Sequence, residues 1–315
     1  MMGKVAFIFP GQGSQYTGMG KDVHAAFACA RETFAEADRA LAFPLSELCF
    51  QGPDEDLKLT HNTQPAILTV SIATLRVLEE KGLHPDYVAG HSLGEYSALV
   101  CAKAITMEQA LRVVRDRGRY MQEAVPVGSG SMAAVLGLDG GTVLEICNVC
   151  LKYGLVSPAN FNSPDQTVIA GETDAVDQAS DLARKRGAKR VLPLPVSAPF
   201  HCELMAPAKD RLAADLARMR FSDLQFPLIT NVDAQEVRAG AAAKDALVRQ
   251  VCAPVHWVES IRFLAKSGVD RFIEVGPGKV LCALVRKIAP GVQTYSVDGV
   301  RGIDALASVE LGARM

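Results

Sequence analysis

The stretch Val88-Ala89-Gly90-His91-Ser92-Leu93-Gly94-Glu95 contains the pattern Gly-x-Ser-x-Gly. An apolar run at 87–89 leads into it and a helix-like segment at 93–103 follows it, so the pattern predicts a strand, a sharp elbow and a helix. Glycines suit such an elbow, because its backbone is strained and a Cβ would clash with neighbouring segments. Ser92 is then expected at a helix N-terminus, where free backbone N–H groups can stabilise an oxyanion. An ordinary turn between a strand and a helix can have the same sequence pattern. The residues that accompany Ser92 must therefore distinguish a nucleophile from such a turn.

The composition argues against several classes of function. The chain has 315 residues, with 33 Lys and Arg against 35 Asp and Glu, a net charge of −2 and 6% aromatic residues. It has no basic stripe, so nothing indicates nucleic-acid binding. The first apolar run, 5–9, is too short for a signal peptide or a membrane span, so we expect a cytoplasmic protein without membrane association. The eight cysteines fit free thiols, and Cys147 and Cys150 lack the second ligand pair of a metal site.

Strands and helices are predicted to alternate along the chain. A β-branched and aromatic run at 5–9 predicts a first buried strand, which Pro10-Gly11 stops. A helix is predicted to begin at Pro65, a residue that suits the first helical position, and to continue to Lys81. This helix is apolar on most faces and directly precedes the elbow. The order favours an α/β fold with a parallel sheet and helices on both faces.

A smaller unit is predicted inside the larger one. Gly128-Ser129-Gly130-Ser131 has the composition of a hinge, and strands and helices are expected after it in the order βαββαβ. This order suggests a ferredoxin-like subdomain at 128–198, inserted into a large domain made of 1–127 and 199–315. A proline-rich run at 193–199, which includes Ser197, would return the chain to the large domain.

Two further expectations concern the second part of the large domain. The Ala-rich segment 239–243 is predicted to be a loop, and the last predicted element is a helix from about 279 onward.

A serine hydroxyl needs a neighbouring base to become a good nucleophile. Four of the six histidines lie at surface-like, polar or packing positions: His24, His61, His84 and His256. His91 is adjacent to Ser92, but consecutive side chains diverge on a sharp elbow. His201 remains, at the return from the insert and the start of a helix, and clefts form at such junctions between domains.

Arg117 is the one arginine of its helix that falls on the apolar stripe, four residues after Val113 and four before Met121. A guanidinium that faces inward is costly unless it meets an anion. Two explanations stay open at this point: a structural ion pair with a buried Asp or Glu, and a counter-charge for a carboxylate substrate.

Eight short motifs span almost the full length of the chain. They are FPGQGSQ (9–15), TQPA (63–66), GHSLGEYSAL (90–99), RGRYMQ (117–122), NFNSP (160–164), PFHCELM (199–205), PVHW (254–257) and EVGPGKVL (274–281). In this order they resemble the malonyl-CoA:acyl-carrier-protein transacylase family. The resemblance implies an α/β-hydrolase-like core interrupted by a ferredoxin-like subdomain. The chain varies at His256, where Gln is expected, and at Phe200, which leaves fine acyl selectivity open.

The resemblance also implies roles for individual residues. Ser92 would carry the acyl group, and His201 would be its base, oriented by the backbone carbonyl of Gln250 in place of the carboxylate of a full triad. Backbone N–H groups of Gln12 and Leu93 would form the oxyanion hole.

Substrate contacts are expected from four side chains within these motifs. Arg117 would hold the malonyl carboxylate, and Gln64, His91 and Asn162 would complete the binding site. No metal is expected, and no cofactor apart from the CoA thioester that is itself the substrate.

The implied reaction moves a malonyl group from malonyl-CoA to the phosphopantetheine thiol of holo acyl carrier protein through a malonyl-Ser92 ester. It supplies extender units for fatty acid biosynthesis, and the enzyme is expected to be a monomer. An esterase on the same elbow and a carrier-docking module with a vestigial site are the alternatives. The basic run 184–190 is suited to contact an acidic carrier or CoA phosphates, but a solvated helix end is the favoured explanation.

Overall fold

The computed structural model describes residues 3–196 and 198–312, with side chains as far as Ser308. Ser197, which belongs to the predicted return segment, lies outside the described residues. The same holds for the outermost residues of the predicted ranges 1–127 and 199–315.

The described residues form two sheets. The strands in chain order are β1 (Lys4–Phe9), β2 (Tyr87–Gly90), β3 (Gly130–Leu136), β4 (Val156–Ser163), β5 (Gln166–Glu172), β6 (Arg190–Pro193), β7 (Leu228–Ile229), β8 (Glu236–Val237), β9 (Val269–Val275) and β10 (Gln293–Val297).

The α-helices flank these sheets. They are α1 (Lys21–Ala26), α2 (Ala28–Leu41), α3 (Leu45–Gln51), α4 (Asp54–Lys58), α5 (Thr60–Glu80), α6 (Gly94–Cys101), α7 (Met107–Glu123), α8 (Gly140–Cys150), α9 (Thr173–Lys185), α10 (Ala206–Arg218), α11 (Gly240–Gln250), α12 (Trp257–Lys266), α13 (Val280–Ile288) and α14 (Val300–Gly312).

The larger sheet has the strand order β10-β9-β1-β2-β7-β8, and only its β7–β8 pair is antiparallel. Successive residues of β1 face opposite sides of this sheet, as the period of a strand requires. Phe7 and Phe9 belong to the larger buried apolar cluster, and Ala6 and Ile8 to a second cluster that includes Trp257. Apolar residues thus cover both faces, as an α/β fold with a parallel sheet predicts.

The smaller sheet is antiparallel, with the strand order β4-β5-β3-β6. With α8 and α9 it follows the predicted order βαββαβ, and it has an apolar cluster of its own. Backbone hydrogen bonds tie β4 to the segment before α12, because Phe161 N donates to Val255 O and Val255 N donates to Ala159 O, both at 2.9 Å. The boundaries of the insert at 128 and 198 stay a prediction.

Two helix boundaries differ from the prediction. The helix expected to begin at Pro65 begins at Thr60, because Leu59 O accepts the amides of Asn62 and Thr63 and so closes a turn before the proline. Pro65 therefore lies inside the helix, where it has no N–H to donate to the preceding turn.

The Ala-rich segment predicted as a loop is the first turn of α11, since alanine has the highest helix propensity and Gly240 N is capped by Asp223 Oδ1 at 3.0 Å. The chain also continues beyond the last predicted helix into β10 and α14.

Close backbone packing at the elbow explains why glycines occupy positions 90 and 94. A Cβ on Gly90 would lie 1.9 Å from Gly94 C, and a Cβ on Gly94 would lie 2.1 Å from Phe9 O. Both contacts are with backbone atoms, which cannot rotate away. Close packing of β1, β2 and α6 therefore requires glycine at both positions, and the predicted clash is confirmed.

We expect Gly94→Ala to lower the free energy of unfolding by about 2 to 4 kcal/mol, because β1 and α6 must separate to admit the methyl group. Urea unfolding followed by circular dichroism measures this change. The matched control is Ala42→Gly at an exposed helix end with φ 46°, which should gain about 1 kcal/mol. Equal stability of Gly94→Ala and the parent chain would contradict the steric account.

Candidate active site

Ser92 lies on the elbow between β2 and α6 with φ 51°, a left-handed conformation that is unfavourable for a residue with a side chain. Side chains from two distant segments hold it there. Ser92 N donates to Asn231 Oδ1 at 2.7 Å, and Ser92 O accepts from Gln250 Nε2 at 3.2 Å. Asn231 Nδ2 also donates to Gly90 O at 2.6 Å. The surrounding structure thus stabilises the strained backbone that exposes the serine hydroxyl.

His201 completes a hydrogen-bonded pair with Ser92. Its Nε2 lies 2.8 Å from Ser92 Oγ, and its Nδ1 lies 2.9 Å from Gln250 O. A carbonyl oxygen only accepts, so Nδ1 carries the proton and Nε2 is free to accept from the serine hydroxyl. The pair is therefore arranged for removal of the Ser92 proton by His201.

The environment keeps His201 neutral. Burial, and next the positive charge of Arg117, lower the pKa of His201 from 6.5 to about 3. At neutral pH the imidazole is thus unprotonated, which is the state that a general base requires.

Arg117 is buried, with 2% of its surface exposed, and all its hydrogen-bond acceptors are neutral. Nη1 donates to Gln64 Oε1 at 2.8 Å, while Nη2 donates to Gln250 Oε1 at 3.0 Å and to Ser92 Oγ at 3.1 Å. It forms no ion pair with any Asp or Glu of the described residues, so the structural ion pair left open by the sequence is not observed there. A guanidinium without a direct ion pair next to Ser92 is suited to bind a carboxylate of the group attached to that serine.

The two predicted oxyanion donors follow the ends of neighbouring parallel strands. Phe9 of β1 pairs with Gly90 of β2, so Gln12 and Leu93 come shortly after adjacent strand ends. Within the described ranges, no hydrogen bond uses the backbone amide of either residue. Both amides are therefore available to a ligand.

The other predicted substrate-binding residues contact one another or Arg117. His91 Nε2 lies 2.8 Å from Asn162 Oδ1, which joins the elbow to β4, and burial lowers the pKa of His91. Both residues line a cavity of about 140 Å³ together with the loop after β1. Gln64 contacts Arg117, as described above. The structure thus brings all nine predicted site residues into one region around Ser92.

Sequence reasoning missed two buried polar side chains of this region, Glu95 and Asn231. Glu95 is the only charged residue of the otherwise apolar helix α6, which was an available signal. Asn231 follows β7 at the carboxyl edge of the parallel sheet, where ligands of such sheets bind. Their contacts with Ser92 and Gln250 join segments far apart in sequence and become visible only in the fold.

The described residues contain neither a metal-binding cluster nor a membrane-spanning helix. No group of three or more His, Cys, Asp or Glu residues there could hold a metal ion. No helix in the described part of the chain is both long and apolar enough to span a membrane.

Comparison with known proteins places this geometry in a family. The family model for the acyl transferase domain matches residues 6–301. The chain belongs to the acyl transferase domain family.

Among its relatives are proteins named malonyl CoA-acyl carrier protein transacylase. Those of Escherichia coli K12 and Salmonella typhimurium are 48% and 50% identical over 308 residues, covering 98% of this chain and 99% of each relative.

Solved structures agree with these sequence matches. An acyl carrier protein S-malonyltransferase from Vibrio cholerae has a TM-score of 0.94 at 47% identity, covering 96% of this chain and 99% of that one. A type II PKS acyl-carrier protein in complex with its malonyl-transacylase has a chain that matches with a TM-score of 0.95 at 46% identity, covering 97% and 99%.

We expect the reaction of Ser92 with a neutral sulfonyl fluoride to keep nearly the same rate from about pH 8 to about pH 5, because His201 stays neutral throughout this range. Mass spectrometry of the intact chain after timed quenching measures the rate, and Ser92→Ala gives the background. A rate that falls by half near the ordinary histidine pKa of 6.5 would show that His201 titrates normally.

Proposed function

We propose that the chain transfers a malonyl group from malonyl-CoA to the phosphopantetheine thiol of holo acyl carrier protein, through a malonyl ester on Ser92. In this role it supplies extender units for fatty acid biosynthesis. The observation that carries the proposal is the buried Arg117, which donates to the nucleophile's Oγ and has no carboxylate partner among the described residues. The names of its close relatives support the same reaction.

In the first half-reaction, Ser92 Oγ attacks the malonyl thioester carbon while His201 Nε2 accepts the hydroxyl proton. The negative charge that develops on the thioester oxygen would be stabilised by the amides of Gln12 and Leu93, and loss of one such donor typically costs a hundred- to a thousandfold in rate, on the order of 3 to 4 kcal/mol. His201 then returns the proton to the CoA sulfur, and CoA leaves as a thiol.

In the second half-reaction, the phosphopantetheine thiol of the carrier takes the place that CoA has left. His201 accepts the thiol proton, the sulfur attacks the malonyl ester, and the proton returns to Ser92 Oγ. Gln250 O holds the base through Nδ1 in both steps. The thioester substrate supplies the activation of the acyl group, so the proposed reaction uses no metal or further cofactor.

The retained acyl group carries a charge, and Arg117 is proposed to bind it. A hydrogen bond to a charged group is worth about 1.5 to 3 kcal/mol, and a bidentate pair adds geometric selectivity. Acetyl, which lacks the carboxylate, would gain nothing from this contact. We propose that Gln64 orients Arg117, and that His91 and Asn162 border the path of the pantetheine arm along the cavity that they line.

The subdomain at 128–198 is proposed to form one wall of this path, because β4 provides Asn162. Its basic run at 184–190 is a candidate contact for an acidic carrier protein or for CoA phosphates. A solved relative in complex with an acyl-carrier protein supports a carrier as partner. Monomeric state and cytoplasmic location stay predictions.

The position of His201 favours acyl transfer over the esterase alternative. A hydrolase of this architecture usually orients its histidine with an Asp or Glu, whereas His201 Nδ1 faces the backbone carbonyl of Gln250. The two activities differ in their second acceptor, a thiol or water, so the products separate them.

We expect brief exposure to malonyl-CoA to add one malonyl group per chain, and Ser92→Ala to abolish this adduct, because no other residue of the site has an activated hydroxyl. Intact mass spectrometry measures the adduct. Addition of holo carrier should then move the malonyl group to the carrier thiol, with little free malonate. Release mainly as free malonate would identify an esterase, and absence of an adduct would support a docking module.

We expect Arg117→Ala to lower the ratio of malonyl to acetyl transfer by about tenfold to a hundredfold, because only malonyl loses a charged hydrogen bond. The values of kcat/KM for malonyl-CoA and acetyl-CoA give this ratio. Arg119→Ala is the matched control, since Arg119 lies on the same helix but is exposed and pairs with Asp116. An unchanged ratio in Arg117→Ala would remove Arg117 from its proposed role.

A further inference from the structure

A buried carboxylate lies close to the nucleophile and takes no part in the proposed reaction. Glu95 is fully buried in the first turn of α6, three residues after Ser92. Its Oε2 accepts from Gln250 Nε2 at 2.6 Å and from Asn231 N at 3.2 Å. Its Oε1 has no hydrogen-bond partner among the described residues. A buried ionisable group that is only partly satisfied is costly, so its charge state depends strongly on its surroundings.

The side chain of Gln250 connects this carboxylate to the arginine of the site. Its Nε2 donates to Glu95, while its Oε1 accepts from Arg117 Nη2 at 3.0 Å. An amide is the group that can serve both neighbours, because it carries a donor for the carboxylate and an acceptor for the guanidinium. Glu95 and Arg117 form no direct ion pair, yet each charge acts on the pKa of the other. The amide is thus a neutral spacer between two buried ionisable groups.

We propose that Glu95 is a specificity-determining residue, whose carboxylate sets through this spacer how strongly the site attracts a carboxylate on the acyl group. The inference rests on the proposed malonyl transfer. An ionised Glu95 offsets part of the positive charge of Arg117 and repels a malonyl carboxylate, whereas a neutral Glu95 leaves the full charge of Arg117 to the substrate. Acetyl carries no charge, so its binding does not depend on the charge state of Glu95. Glu95 acts on Arg117 without touching the substrate.

The charged groups around Glu95 determine how the preference for malonyl over acetyl should change with pH. Burial raises the pKa of Glu95 to about 7, against the opposing effects of its hydrogen bonds from Gln250 and Asn231 and, after them, of the charge of Arg117. Of its other neighbours, Tyr96 has its pKa raised to about 12 by burial and stays neutral, and Asp233 has its pKa lowered by Arg249 and stays ionised. Arg117 stays protonated near neutral pH. Among Glu95 and these neighbours, Glu95 is therefore the residue whose charge changes near pH 7.

His201 and His91, on the other side of Gln250 and Ser92, both have their pKa values lowered by burial and stay neutral near pH 7. Any change in the reactivity of the Ser92–His201 pair affects both substrates alike and cancels in a ratio. The ratio of malonyl to acetyl kcat/KM in the unaltered chain should therefore fall as the pH rises through about 7, because Glu95 loses its proton there.

Glu95→Gln tests the proposal with little change of shape. The new amide oxygen can accept from Gln250 and Asn231, and its NH₂ group occupies the position of the unpartnered Oε1. We expect the ratio of malonyl to acetyl kcat/KM at about pH 8 to rise by about tenfold, mainly through a lower KM for malonyl-CoA. The pH dependence of the ratio should disappear.

Glu274→Gln is the matched control, because Glu274 is also a fully buried carboxylate but caps the amides of Leu281 and Cys282 at the start of α13. It should leave the ratio unchanged. If Glu95→Gln lowers transfer of both acyl groups equally, Glu95 has only a structural role and the proposal is wrong. If that variant does not fold, a ratio in the unaltered chain that is flat from about pH 6 to about pH 8 overturns it.

These outcomes separate the inference from the proposed function. A chain that forms no malonyl adduct on Ser92 overturns both. The role of Glu95 alone is overturned if the chain transfers malonyl with an Arg117-dependent preference, and if neither Glu95→Gln nor a change of pH alters that preference.

Discussion

The positive charge of Arg117, buried without a direct ion pair among the described residues, is the interaction on which the rest of the site depends. After burial, it is the next largest cause of the lowered pKa of His201. It also donates to the hydroxyl of Ser92 and requires the amide oxygens of Gln64 and Gln250 as acceptors. Burying a guanidinium costs free energy that neutral acceptors only partly recover. The folded chain therefore holds a site that becomes better satisfied when an anion enters, which is how a protein prepares for a charged ligand before it binds.

Backbone strain at the nucleophile and at its base is a second constraint. Ser92 and His201 both have positive φ values, 51° and 62°, in a chain where few residues other than glycine do. Such conformations persist only where neighbours over-determine them. Asn231 and Gln250 hold the Ser92 backbone from two sides, and Gln250 O holds the His201 ring. One residue, Gln250, thus aligns nucleophile, base and arginine, so the geometry of the three groups is coupled.

The predictable parts of this protein are those governed by local sterics and periodicity. The elbow followed from two glycines with a fixed spacing, and the inward direction of Arg117 followed from its place on an apolar stripe. The start of α5 was wrong because backbone acceptors before Pro65 outweigh the preference of proline for the first turn. The loop predicted at 239–243 is wrong because the helix propensity of alanine favours the first turn of α11 there.

The remaining features depend on contacts across the sheet, which no local pattern contains. Asn231 reaches Ser92 across 139 positions because β7 pairs with β2, and the Gln250 side chain reaches it across 158 positions from the end of α11. The fold also joins a carboxylate, an amide and a guanidinium in one chain of hydrogen bonds next to the serine. Replacing the central amide by a direct ion pair would satisfy both charges and leave none for a ligand. The hydrogen bonds of Gln250 to both groups therefore keep the arginine available to a ligand, at the cost in stability of two buried ionisable groups without a direct ion pair.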